Sequence, residues 1–126
     1  GVDDDAAWQW RERYVARALK AVFAGLGGSD DPRAWTLRRA YAARVKEAVD
    51  STIGLASDAA WSLRDEVADL WPSTVVKSIV PLARDARAQR LTRRLLAAYP
   101  ANVSLLKHVV RFEAVRAGAA ALDVVV

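Results

Sequence analysis

Cysteine and methionine are both missing from this 126-residue chain, and histidine occurs once. The lack of Cys excludes disulfide scaffolds, thiol nucleophiles, Cys-ligated zinc and iron–sulfur clusters together. A single imidazole, His108, excludes a multi-histidine metal site, so neither a metal nor a cofactor is expected. Long apolar runs are lacking as well. The most apolar stretch, Ala114–Val126, is interrupted by Arg116 and Asp123, which excludes a membrane span. Nor is there a basic leader: Gly1-Val2-Asp3-Asp4-Asp5 is acidic where a secretory or transit peptide is basic, and the missing Met marks the chain as processed or trimmed.

What is present describes one globular domain over residues 1–126, with residues 1–5 as an acidic lead-in. Apolar residues make up 53% of the chain and charged residues 27%, which is the composition of a packed domain and not of a disordered one. Lys and Arg number 19 against 15 Asp and Glu, a net charge of +4 that permits phosphate or an acidic surface as partner. Most of those cations are Arg, whose planar fork suits fixed ion pairs at interfaces. A GC-rich genome produces the same bias.

The punctuation along the chain is helical throughout. Asp3, Asp4 and Asp5 offer caps before a helix over about 6–26, with Val15, Ala18, Leu19, Val22, Phe23 and Leu26 as its apolar stripe and Gly27-Gly28 as its stop. Asp30-Asp31-Pro32 opens a second helix over about 32–50, with Leu37, Tyr41, Val45 and Ala48 inward. A third spans about 58–70 on Leu63, Val67 and Leu70, and is stopped by Trp71-Pro72. A short fourth helix over about 74–80 is rich in β-branched residues, so strand is its rival. The fifth, about 82–98, carries Ala88, Leu91, Leu95 and Ala98. The sixth, about 103–117, carries Leu105, Leu106, Val109, Val110 and Phe112 and is expected to end at Gly118, with Ala119–Val126 as one or two further helical turns. About six helices with short connections make an all-α domain, stacked as antiparallel hairpins in a solenoid-like or irregular bundle.

Two resemblances accompany this reading. Leu95-Leu96-Ala97-Ala98-Tyr99-Pro100, then Asn102, Leu105, Leu106, Phe112-Glu113, Gly118 and Ala121-Leu122, resemble one tetratricopeptide or half-a-tetratricopeptide repeat over residues 88–123. The usual aromatic anchors are Leu and Val here. Upstream, Pro32-Arg33-Ala34-Trp35-Thr36-Leu37-Arg38-Arg39, Leu63-Arg64 and Ser73-Thr74-Val75 resemble the helical subunit Va of mitochondrial cytochrome c oxidase over residues 32–80. Both resemblances imply a non-catalytic stack of helical hairpins that presents surfaces to partners. The second also implies a mitochondrial, intracellular setting in a respiratory complex.

Few residues offer chemistry. Ser104 stands four positions before His108, but no acid at helical spacing orients the imidazole, so an exposed or interfacial His is expected and no catalytic residue. Gly25-Leu26-Gly27-Gly28-Ser29 follows a helix and not a strand, and reads as a helix cap where a phosphate loop would follow a strand. Asp3-Asp4-Asp5, Asp30-Asp31 and Asp65-Glu66 read as solvated caps and mixed-charge faces. The sharpest feature is the run Arg84, Arg87, Arg90, Arg93 and Arg94, opposed locally by Asp85 alone, in which Arg87, Arg90 and Arg94 share one stripe. That stripe fits an acidic protein partner, a nucleic-acid backbone, or the domain's own acids. Trp8 and Trp10 cannot share a helical face, which leaves one of them for a partner. The resulting expectation is a non-enzymatic scaffold or accessory subunit whose partners are other protein subunits, contacted through Trp8, Trp10, Arg87, Arg90 and Arg94. The alternative is a basic nucleic-acid-binding module using the Arg84–Arg94 stripe.

Overall fold

The structure, a computed structural model, describes the backbone of residues 5–125 and the side chains of 6, 13, 14 and 16–118. Seven α-helices and one 3-10 turn are present among the described residues, and no strand. They are α1 (Asp5–Leu26), α2 (Pro32–Tyr41), α3 (Lys46–Asp50), α4 (Asp58–Val67), α5 (Pro72–Ile79), α6 (Ala86–Ala98) and α7 (Val103–Val125), with the 3-10 turn at Val80–Leu82 between α5 and α6.

Side-chain oxygens and prolines set most of these starts. Asp31, Ser57 and Asp85 accept from the backbone N–H of Arg33, Ala60 and Arg87 respectively, and so cap α2, α4 and α6. Pro32 and Pro72 occupy the first turn of α2 and α5, where a missing N–H costs nothing. The β-branched segment around Val75 and Val76 is helical, and both side chains are fully buried. Gly27 stops α1 with a φ of 53°, the left-handed conformation expected of it.

Several boundaries differ from those expected of the sequence: the helix expected over 58–70 ends at Val67, and the one expected from 74 begins at Pro72. The helix expected over 32–50 is two helices: Val45 is extended at φ −133° and ψ 122°, and the chain turns there into α3. The helix expected from 82 begins at Ala86, because Val80–Leu82 forms the 3-10 turn and Asp85 caps α6. The helix expected to stop at Gly118 runs on to Val125. Gly118 has no positive φ and open space around it, and a glycine in ordinary helical geometry weakens a helix without ending it.

Six of the helices, α2 to α7, are organised by an internal repeat. Trp35-Thr36-Leu37-Arg38 in α2 and Trp61-Ser62-Leu63-Arg64 in α4 occupy equivalent places: the aromatic rings and the guanidinium groups are all buried. Ala34 and Ala60, Ala42 and Ala68, Val49 and Val75, and Thr52 and Ser78 continue the equivalence, every one of them buried. A third unit comes in α6, where Ala88, Leu91 and Leu95 take the places of Ala60, Leu63 and Val67. There Gln89 and Thr92 stand where Trp61 and Arg64 would be. Each unit supplies a first helix (α2, α4, α6) and a second (α3, α5, α7), and these pack on one another within the unit. Between units the second helices meet: α3 packs on α1 and α5, and α5 makes its most extensive contact with α7.

The core lies along that second layer. Val75, Val76 and Ile79 of α5 lie fully buried between Ala48 and Val49 of α3 and Leu105, Val109 and Phe112 of α7. Phe23 of α1 closes one end, edge-on to Tyr41 at 6.4 Å between ring centres. Leu70, Val22 and Val110, expected inward, are exposed, and Ala18 and Ala98 are exposed too. Aromatic side chains also tie the ends of the first helices together. Trp71 Nε1 donates to Ala42 O at 2.7 Å, and Tyr99 OH donates to Asp69 Oδ1 at 2.8 Å, one unit further on. At the opposite ends, the Asp30 carboxylate accepts from both Trp35 Nε1 and Ser57 Oγ, joining the starts of α2 and α4.

Candidate partner-binding groove

Two guanidinium groups lie in the core, and both stack on tryptophan. Arg38 sits 4.4 Å above the Trp35 ring and Arg64 4.9 Å above that of Trp61, the i, i+3 neighbours on their helices. Arg38 ties three segments together: it donates to Ser29 O at 2.7 Å, Gly27 O at 3.3 Å, and Ser51 Oγ and O at 2.8 and 3.2 Å. Arg64 donates to Ser78 Oγ at 3.0 Å and Thr52 O at 2.7 Å, and its Nη1 has no partner. Burial pulls the Arg64 pKa down to about 10 and lowers that of Arg38 as well. Neither residue is expected in the core from the sequence, where charge alone argues for exposure. The recurrence of Trp-Thr-Leu-Arg as Trp-Ser-Leu-Arg is the signal that could have placed them there.

Trp61 is also the floor of a surface groove. Between α4 and α6, a cavity of about 420 Å³ is lined by Trp61, Asp65, Arg87, Arg90, Leu91 and Arg94. The three arginines of the sequence stripe therefore do converge on one face, as a helix with residues three and four apart requires. The flanking two are loosely held: Arg87 lies 3.8 Å from the exposed Asp58, and Arg94 lies 3.4 Å from Asp69. Exposed pairs at such distances contribute little and exchange readily with other acids. Arg90, between them, has no ion pair among the described residues. The groove thus combines an apolar floor, one acid and three cations of which the central one is uncompensated.

The remaining arginines of the run face elsewhere. Arg93 borders a second depression with Gln89, Glu113 and Arg116, in which Arg116 is paired with Glu113 at 2.6 Å. Arg84 precedes the helix, and Asp85, the local counter-charge of the run, is the helix cap. Trp8 and Trp10 lie on α1 outside the described side chains.

Ser104 and His108 form no nucleophile–base pair. The Ser104 hydroxyl is hydrogen-bonded to that of Ser73 at 2.7 Å. His108 Nδ1 is sealed from solvent without a partner, and burial together with Lys77 and Arg111 lowers the imidazole pKa below its ordinary 6.5. Among the described residues no group of three or more His, Asp or Glu is placed to hold a metal ion, and no helix is long and apolar enough to cross a membrane. No family model, curated protein or solved structure matches the chain.

Proposed function

We propose that this protein is a non-catalytic helical-repeat scaffold, an accessory subunit that receives an acidic surface of another protein in the groove between α4 and α6. The observation that carries the reading is Arg90, a guanidinium without an ion pair, flanked by two weakly paired ones above a Trp61 floor. Arg forks over a buried aromatic are the composition of interface hot spots, where carboxylates replace weak intramolecular pairs with bidentate ones. The rigid backing of the groove supports the same reading, since Trp61 is fixed from below by Arg64. The resemblance over residues 32–80 supports a mitochondrial respiratory complex as the setting of such a subunit.

The test is co-purification of the tagged chain from its native source, compared with the variant Arg87→Gln/Arg90→Gln/Arg94→Gln. Arg87 and Arg94 are about half exposed and Arg90 is exposed, so the variant should keep the parental circular dichroism. It should lose the partner subunits. An unchanged partner set overturns the groove as the interface. Salt-dependent binding of duplex DNA or RNA at ~0.15 M salt, abolished in the same variant, makes the stripe a phosphate-binding surface instead.

A further inference from the structure

A second cleft, away from the arginine groove, has the opposite balance of apolar wall and charge. It opens where the turn after α3, the start of the 3-10 turn, α5 and α7 meet, with a volume of about 430 Å³. Ile53, Val80, Pro81, Ala114 and Val115 make its walls, and Lys77, His108 and Arg111 are its polar residues. The wall is built and not incidental. Gly54 takes a φ of 76°, donates its N–H to Ser78 O at 3.0 Å and lies against the Pro81 ring, which fixes the Ile53 turn to the 3-10 segment. A volume of this size is within the range of small-molecule sites, roughly 300–1,000 Å³.

The charges in the cleft leave one cation over. Lys77 is paired with Asp50 at 3.2 Å. Arg111 has no ion pair among the described residues. His108 adds a neutral ring: Nδ1 is sealed and unpartnered, whereas Nε2 is not sealed. An unmatched lone pair costs less than an unmatched N–H, so the proton belongs on Nε2, which can donate. The cleft therefore offers one planar bidentate donor and one neutral donor beside an apolar wall, and it is complementary to a single negative charge on an apolar body.

We propose that this cleft binds an aliphatic monocarboxylate of the fatty-acid type, its carboxylate on the Arg111 guanidinium and His108 Nε2–H and its alkyl chain along Ile53, Val80, Pro81 and Val115. A planar carboxylate matches the guanidinium fork in two parallel hydrogen bonds. A dianionic phosphate would bring a second charge with no free cation to meet it.

The experiment titrates the full chain with octanoate, monitored by calorimetry and by the His108 ring resonances. Octanol and octylammonium report on the same alkyl chain without the charge and with the wrong one, and acetate reports on the charge without the chain. Octanoate should bind saturably and shift the His108 ring. Octanol and acetate should each bind at least about tenfold more weakly, and octylammonium not at all. Arg111→Gln, at an exposed position, should keep the fold by circular dichroism and weaken octanoate by about tenfold or more while leaving octanol unchanged. Equal affinity for octanoate and octanol, equal affinity for octanoate and acetate, or an Arg111→Gln variant that binds octanoate as the parent does each overturn the proposal. Binding to phosphatidylglycerol vesicles that octanoate does not displace puts the contact on a lipid surface, and overturns it as well.

Discussion

Arg38 and Arg64 occupy equivalent places in successive units, yet replacing each by Met should have different consequences. Met keeps most of the stem volume and removes the charge, and its sulfur can still contact the tryptophan ring. At Arg38 the change takes a donor from three carbonyls, those of Gly27, Ser29 and Ser51. No backbone N–H of the turns and caps around them donates to those oxygens. At about 1 kcal/mol for each of the three carbonyls left without a donor, Arg38→Met should cost about 3 kcal/mol, less what is regained by no longer desolvating a cation; Ser51 Oγ keeps its bond to Ala48 O. At Arg64 the acceptors keep other partners: Leu55 N–H donates to Thr52 O at 3.0 Å, and Ser78 Oγ donates to Val75 O at 2.6 Å. The change also removes Nη1, which is buried with nothing to bond, a relief of roughly 1–3 kcal/mol. Arg64→Met should therefore stay within about 1 kcal/mol of the parent or exceed it, as buried charges replaced by apolar groups often do. Urea unfolding monitored by tryptophan fluorescence and far-UV circular dichroism measures both. With a slope of roughly 1–3 kcal/mol per molar, the two midpoints should differ by about 1 M. Equal destabilisation, or a worse outcome at Arg64, would refute the idea that second acceptor bonds decide the cost.

Three further outcomes are expected. Gly118→Ala should raise stability by roughly 0.5–1 kcal/mol in thermal unfolding, because Gly118 lies inside α7 with open space where a Cβ would go; a destabilised variant would mean that the helix does not run through it. Trp71→Phe should cost about 1–2 kcal/mol through the bond to Ala42 O, and chemical denaturation with no change in midpoint would show that bond to be idle. His108 is held below its ordinary 6.5 by burial, Lys77, Arg111 and Lys107, with Asp50 acting the other way. The unfolded chain therefore takes up a proton first, so stability present above pH 6.5 is lost as pH falls towards the folded-state value. In His108→Leu that loss should vanish from denaturation midpoints measured stepwise below neutral pH, and an unchanged pH profile would contradict it.

Helix content and most starts were legible from caps and prolines, because those act through the local backbone. Asp31, Pro32 and Gly27 do in the structure what their chemistry prescribes, whereas Pro72, expected to stop one helix, opens the next. The break at Val45 was not legible, since nothing near it is a helix breaker. It accompanies the packing of α3 on α1 and α5, a tertiary contact with no local signature. Gly118 misled for the converse reason: a residue permitted to end a helix need not do so. The Arg87, Arg90 and Arg94 stripe was readable from spacing, and it does share one groove. What spacing could not supply was the opposite wall, Trp61 and Asp65, which comes from another unit. The cleft at His108 and Arg111 was invisible for the same reason, being assembled from four separate segments.

The aromatic bridges have a direction. Trp71, at the end of α4, reaches back to Ala42, and Tyr99, at the end of α6, reaches back to Asp69. In each case the later unit supplies the donor and the earlier one the acceptor already in place. A ribosome delivers the chain in that same order, so Ala42 and Asp69 emerge before the rings that dock on them. Each of these two rings can dock as soon as it emerges, on an acceptor already made. Removing the last unit would take Tyr99 away and leave the Trp71–Ala42 bridge whole.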